Sequence, residues 1–470
     1  MTEQEVEQVL SAENAYIIAP AGHGKTEMIA DLVMRANKKV LVITHTNAGV
    51  DALKKRFVRK SIDAKKYSLT TIAGFCIKWC NSYPQSGHFN QELSPERKDE
   101  IHEYYKQLYI GAERIFSTAW AGIVLKNTYD GVIVDEYQDC TIEQHAIMCS
   151  INKHIPVWVL GDPLQGIFGW AGKLVDWDEI GFQRFPVTTH PWRWEATCPA
   201  LGNFLESVRE QLLPSLHGKA VSLDIKDEDF VEIIPASNYN PYYYLRRWQR
   251  YDSVLYISKM EHQQLQFCKT MKGIFQQDEK QDNEILYSLA YKADTETGCK
   301  LILSHIDFFK QCASNVDKEI KSFTNRLAEG SLDFHKIKKN SEFGGLVTNA
   351  VQDCSAKNIS AVYAWLAGRD SINIYRRELL EEALRSLRYA ERNQCTVRDA
   401  VYAIRSDAKL QKRYTSFKFL SSRTVLSKGL EFDCVVIDMR DPLGVKDFYV
   451  AMTRAKRKIF IVSDKRRFTF

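Results

Sequence analysis

The chain has 470 residues, of which 45% are hydrophobic and 26% charged, and carries a formal net charge of +5. This exceeds the ~250–300 residues of a single core, and the balance excludes a disordered or fibrous chain while leaving nucleic-acid binding open. No run approaches the ~18 apolar residues of a membrane span, and "MTEQEVEQVL" has neither the basic start nor the apolar core of a secretion signal, so a cytoplasmic protein with no membrane partner is expected.

The first predicted elements are the strand "AYIIA" and a helix opening at Lys25, joined by a small-residue turn. In "APAGHGKT", Gly22 and Gly24 let the backbone turn tightly around an anion, which loop N–H groups and the helix N-terminus would hold. Lys25 is placed to neutralise the β- and γ-phosphates of a nucleoside triphosphate, and Thr26 to set its hydroxyl on Mg²⁺. Ala19 stands where the pattern GxxxxGK[ST] has its first glycine. A helix that merely begins with glycines would not need the apolar strand before it. After the next strand, "DALKKRFVRKSIDAKK" concentrates basic charge, which a solvated helix face explains as readily as a nucleic-acid contact.

Further on, "VIV" within "DGVIVDEYQDC" reads as a short buried strand. A triphosphate needs its metal held and its attacking water oriented. Asp135 would therefore hold magnesium, and Glu136 would serve as general base. The apolar strand of "PVWVLGDPLQGIFGWAG" leads to Asp162 and Gln165, polar groups at the carboxyl end of a strand, where open α/β sheets bind ligands. Phe168 and Trp170 follow among glycines. They suit a base-stacking platform, and ordinary core packing is the other reading. The runs "DSVLYIS", "CVVID" and "KIFIV" read as later buried strands, with amphipathic helical pattern such as "YRRELLEEALRSLRYAERN" before the last two. Eleven cysteines are scattered without a CxxC pair, which argues against a disulfide framework and a zinc ribbon.

Taken together, these segments resemble the UvrD/Rep-like branch of superfamily 1 DNA helicases, whose motifs occur in the family's order: "APAGHGKT", "VITHTNAGVDALKKRF", "TTIAGFC", "DEYQD", "GDPLQGIFGWAG", "THPWRW", "SKGLEFD" and "FYVAMTRAKRK". The resemblance implies an ATP hydrolase with Mg²⁺ between two RecA-like domains. It implies DNA contacts at Thr46, Asn47 and Thr71, with Phe168 and Trp170 beside them. Arg193 and Arg454 become γ-phosphate contacts, Arg454 as an arginine finger within the chain. Glu431 would contact the nucleotide sugar, Gly429 would lie where backbone approaches ligand, and Gln4, with Gln8 as its rival, would read adenine. Departures from the family pattern are Val425 for a histidine, Ala171 for an arginine, Phe168 for a tyrosine and His45 for a phenylalanine.

The motifs partition the chain into a first RecA-like motor domain at 1–187, with a small helical insert at about 77–119, and a second at 188–284 and 414–470. Residues 285–413 form an inserted helical subdomain with no catalytic signature. The expected fold class is therefore α/β, two parallel-sheet motors with mainly helical inserts. The expected function is an ATP-dependent translocase or helicase on single-stranded or tailed DNA, moving 3′ to 5′. A DNA-activated ATPase switch that regulates a separate nuclease is the alternative, since the compact motor also resembles the helicase subunits of bacterial anti-phage systems of the Gabija type.

Overall fold

The computed structural model describes residues 1–93, 100–169, 172–278, 284–410 and 417–470. Strands β1 (Asn14–Ile18), β2 (Val40–Thr44), β3 (Tyr67–Thr71), β4 (Val132–Val134) and β5 (Val157–Gly161) form one parallel sheet in the order β1-β5-β4-β2-β3. Every residue of β2, β4 and β5 is buried, because helices cover both faces of a parallel sheet. Along β2 the side chains alternate between two cores. Leu41 and Ile43 pack with Phe75 and Phe116 on one face, and Val40 and Val42 with Ile29 and Phe57 on the other. The helices Ile72–Ser82 and Ile101–Phe116 share the first of these cores with the sheet.

The remaining strands are β6 (Ser222–Asp224), β7 (Val231–Ile234), β8 (Val254–Ile257), β9 (Gln276–Gln277), β10 (Ala313–Ser314), β11 (Asn373–Ile374), β12 (Phe419–Ser422), β13 (Phe432–Asp438), β14 (Ala455–Val462) and β15 (Arg467–Thr469). Six of them build a second parallel sheet in the order β7-β14-β13-β8-β12-β9, while β6 pairs with β15 and β10 with β11 in short antiparallel ladders. The chain is thus α/β, with two RecA-like parallel-sheet domains.

Between β9 and β12 the described residues run through helices from Glu284 to Leu410, which enclose a core containing Phe309, Phe323, Phe343 and Tyr363. Leu420 of β12 pairs with Gln276 of β9, so the chain leaves and rejoins the second sheet at one place. Adjacent entry and exit points let a segment of this size be inserted without disturbing the host sheet.

The two faces of the second sheet have different neighbours. Val435 and Ile437 of β13 point into a core that takes in Trp194 and, from the first domain, Leu164. Cys434 and Val436 point the other way, toward Trp248, Phe267 and Phe275. Among the described residues, no helix is long and apolar enough to cross a membrane.

Candidate nucleotide site

The loop after β1 is a cradle shaped by backbone. Gly22 and Gly24 have φ of 76° and 80°, the left-handed region that glycine enters without a Cβ penalty. A Cβ on Gly22 would lie 2.7 Å from Trp194 Cζ3, and one on Gly24 would lie 3.1 Å from Trp192 Cδ1. Ala19 is fully buried, and its N–H donates to the Gly161 carbonyl at 2.9 Å, tying the loop to the end of β5. Lys25 and Thr26 open the helix Lys25–Arg35, whose first-turn N–H groups face the loop.

Two carboxylates stand at the end of β4. Lys25 Nζ lies 2.7 Å from Glu136 Oε1 and 3.8 Å from Asp135 Oδ1. Burial pushes Asp135 up to about 6, against Lys25 and with the help of the adjacent Glu136. Burial acts on Glu136 too, but Lys25 and Lys428 outweigh it and hold that carboxyl well below the usual range. The phosphate cradle, a lysine at its rim, the Thr26 hydroxyl and Asp135 make a donor set that fits a nucleoside triphosphate with magnesium.

From Glu136 a line of hydrogen bonds runs to the second domain. Gln138 Nε2 donates to Glu136, and Gln138 Oε1 accepts from the Asp162 N–H at 2.9 Å. Asp162, fully buried at the end of β5, accepts from Gln165 Nε2 at 3.1 Å and from Tyr449 Oη at 3.2 Å, and pairs with Arg209 at 3.3 Å. Gln165 Oε1 in turn accepts from Arg454 Nη2 at 3.4 Å. Arg454 is 2% exposed, and burial, then the like charge of Arg193, brings its guanidinium down to about 10.

Arg193 bridges the same seam. Its N–H donates to the Gly22 carbonyl at 3.1 Å, Nη1 to the Thr453 carbonyl at 2.6 Å and Nη2 to Glu431 Oε1 at 2.7 Å. Gly429, two positions before Glu431, has φ of 83° and is exposed. Lys428 reaches across from the second domain to Asp139, donates to the Gln165 carbonyl at 2.7 Å and stands 3.8 Å from Glu136. Its ammonium also lies 5.2 Å from the centre of the half-buried Phe168 ring. Burial pushes Asp139 up to about 6 against the pull of that lysine.

The structure therefore brings Gly22, Gly24, Lys25, Asp135, Glu136, Gln165, Arg193, Glu431 and Arg454 to one cleft. Of the expected DNA contacts, Phe168 lies against Lys428 at this cleft, whereas Thr46, Asn47 and Thr71 stand at the starts of two helices. Thr46 lies two residues past β2 and Thr71 is the last residue of β3, and each side chain caps a helix by accepting the N–H of Gly49 or Gly74 at 3.0 Å. Capping alone accounts for a threonine at both positions. Asn47 is exposed in the first turn after Thr46. Gln4 and its rival Gln8 are both exposed, one turn apart on the helix Glu3–Ser11. Trp170 and Ala171 lie outside the described residues. His45 is half-buried, with Nε2 3.3 Å from Cys140 Sγ, and burial brings it down to about 4.

Four further residues of this cleft have no role in the sequence pattern above. Lys428 lies inside "SKGLEFD" and Trp192 inside "THPWRW", so both carry a local sequence signal. Trp192 is 60% exposed against the cradle at Gly24. Arg209 and Tyr449 meet Asp162 from separate helices and carry no local signal.

Residues 2–170 match the family model of an AAA domain, a P-loop type found in UvrD/Rep-like helicases. No curated protein matches the chain. The match supports a P-loop nucleotide-binding domain in the N-terminal part of the molecule.

Proposed function

We propose that the protein is an ATP-dependent translocase on single-stranded DNA that works as a 3′ to 5′ helicase. The observation that carries this reading is the unbroken line Glu136, Gln138, Asp162, Gln165, Arg454, which connects the phosphate cradle of one domain to a buried guanidinium of the other. Such a line converts the state of the phosphates into the relative position of two domains. Lys25 binds the β- and γ-phosphates. Asp135 and Thr26 hold magnesium, which supplies charge neutralisation at the phosphates when bound.

When Lys25 turns to a phosphate, Glu136 loses one of the two cations that keep it ionised. Its proton affinity then rises toward what a general base requires. Arg193 and Arg454 meet the charge that develops on the transferred phosphoryl group, as arginine fingers do. Trp192 offers the nucleobase an exposed apolar plane beside Gly24, with Gln4 as the adenine-reading residue and Glu431 and Gly429 at the sugar. Thr46, Asn47 and Thr71 contact the DNA backbone, and Phe168 and Trp170 stack bases.

The test pairs ATP hydrolysis with displacement of a strand from tailed DNA and RNA duplexes. Hydrolysis stimulated by single-stranded DNA, with displacement only from 3′-tailed DNA, is expected. An Arg454→Ala protein should bind ATP yet lose roughly 10³-fold in rate. Strong stimulation without displacement would replace this reading with a DNA-activated switch acting on a partner nuclease. Hydrolysis indifferent to any strand would overturn both.

A further inference from the structure

The outer face of the second sheet, opposite the one that meets the first domain, is covered in part by the helix Pro241–Trp248. Its sequence with the following turn, "PYYYLRRWQRY", contains no acidic residue. Leu245 and Trp248 face inward and anchor it to Phe267, Phe275 and Phe460. The outward face is unlike an ordinary solvated helix. Tyr243 is 77% exposed and Tyr242 46% exposed. Arg246 is exposed one turn beyond Tyr243, and Arg250 is exposed in the turn that follows the helix. Among the described residues, no carboxylate pairs with either arginine, whereas the neighbouring Arg247 is bound by Glu232. Lys272, from the turn after the next helix, sets its ammonium 5.0 Å from the centre of the Tyr242 ring.

Exposed aromatic planes cost solvation without adding to the core, and a row of unpaired cations beside them repels itself. An occupant that offers flat π-faces at the tyrosines and regularly spaced negative charge at the arginines relieves both. Single-stranded nucleic acid has this chemistry: bases stack on aromatic side chains, and phosphates take the cations. We propose that Tyr242, Tyr243, Arg246, Arg250 and Lys272 form a second binding surface for single-stranded nucleic acid, outside the nucleotide cleft and on the far side of the second domain. It rests on the reading of the protein as a strand-binding motor. There it would hold a segment of the strand beyond the part gripped between the domains.

The experiment uses the full chain and a labelled oligothymidylate carrying photoreactive thymine analogues. Affinity is read by anisotropy over a salt series, and crosslinked peptides are mapped by mass spectrometry. Crosslinks within residues 239–250 are expected. Tyr243→Ala should weaken binding about fivefold or more, while Tyr243→Phe keeps it, because the ring stacks and the hydroxyl does not. Arg246→Glu with Arg250→Glu should lower the slope of log affinity against log salt by about 1.5, the loss of two phosphate contacts. Because these side chains are exposed, the variants should keep the parent's melting temperature, and circular dichroism checks that they do. A parent that binds the strand while every variant binds equally well, with crosslinks only elsewhere, overturns this inference and leaves the motor reading intact. Displacement of nothing but an acidic polypeptide probe from this surface also overturns it and marks a protein interface. A parent that binds no strand at all overturns both readings.

Discussion

Glu136 has φ of 54°, in a region where a residue with a Cβ carries about 1 kcal/mol or more of strain. The strain turns its carboxylate from the end of β4 back toward Lys25, with its own N–H donating to Asp135 Oδ1 at 2.8 Å. A backbone so constrained serves the position of one side chain. Glu136→Gln keeps the shape and removes the carboxylate proposed as the base. It should bind a fluorescent ATP analogue like the parent and lose about 10²-fold or more in phosphate release. Unchanged release would remove Glu136 from the chemistry. Gly22→Ala tests the cradle instead. The added methyl would meet the Trp194 ring at 2.7 Å in a left-handed backbone. It should lower both nucleotide affinity and melting temperature, by about 1–2 kcal/mol in stability. A variant with normal affinity and stability would show that the loop relaxes freely.

At the scale of elements, the helices between Glu284 and Leu410 carry a pH dependence of their own. His305, on the helix Gly298–Cys312, is 1% exposed. Its Nδ1 lies 3.1 Å from Tyr363 Oη on the helix Ala356–Ala367, and its Nε2 has no partner among the described residues. Burial depresses it from the usual 6.5 to about 4. The folded segment therefore holds His305 neutral while the unfolded chain takes up its proton first. That contribution is complete above about pH 6.5 and is lost as pH falls through about 4, at most ~3 kcal/mol. Hydrogen exchange in these two helices should rise over that window, before exchange in the parallel sheets does. In a His305→Leu protein the rise should flatten. Equal pH dependence in the two proteins would place the titrating group elsewhere.

At the scale of the molecule, charged side chains are prominent among the contacts that hold the two domains in register, beside a backbone bond and an apolar contact. Lys428 reaches Asp139, Arg193 reaches Gly22, and Arg209 and Tyr449 meet Asp162. Lys428→Ala would leave Asp139 buried without its cation, which costs roughly 3 kcal/mol or more. Since that cost vanishes when the cleft opens, the variant should populate a more open arrangement. A larger radius of gyration in solution scattering, with ATP binding kept and strand-stimulated hydrolysis weakened, is the expected result. A radius unchanged from the parent would show that the apolar contact around Leu164 and Trp194 holds the domains without the lysine.

What the sequence by itself determined is local or periodic. Buried parallel strands are continuous apolar runs, so "AYIIA", "VIV", "WVLG" and "CVVID" were legible as β1, β4, β5 and β13. The cradle was legible because it is built from contiguous backbone, two glycines and the helix that follows. Carboxylates at the end of an apolar strand marked Asp135 and Glu136 for the same reason. The tertiary structure alone decided how the halves meet. Lys428 and Asp139 are 289 positions apart. Arg209, Asp162 and Tyr449 come from three segments whose patterns say only helix or strand end. A hydrogen bond between distant segments leaves no periodicity in either. It exists because two sheets pack around Leu164 and Trp194, and that packing is set by the shapes of whole faces rather than by any short run of residues.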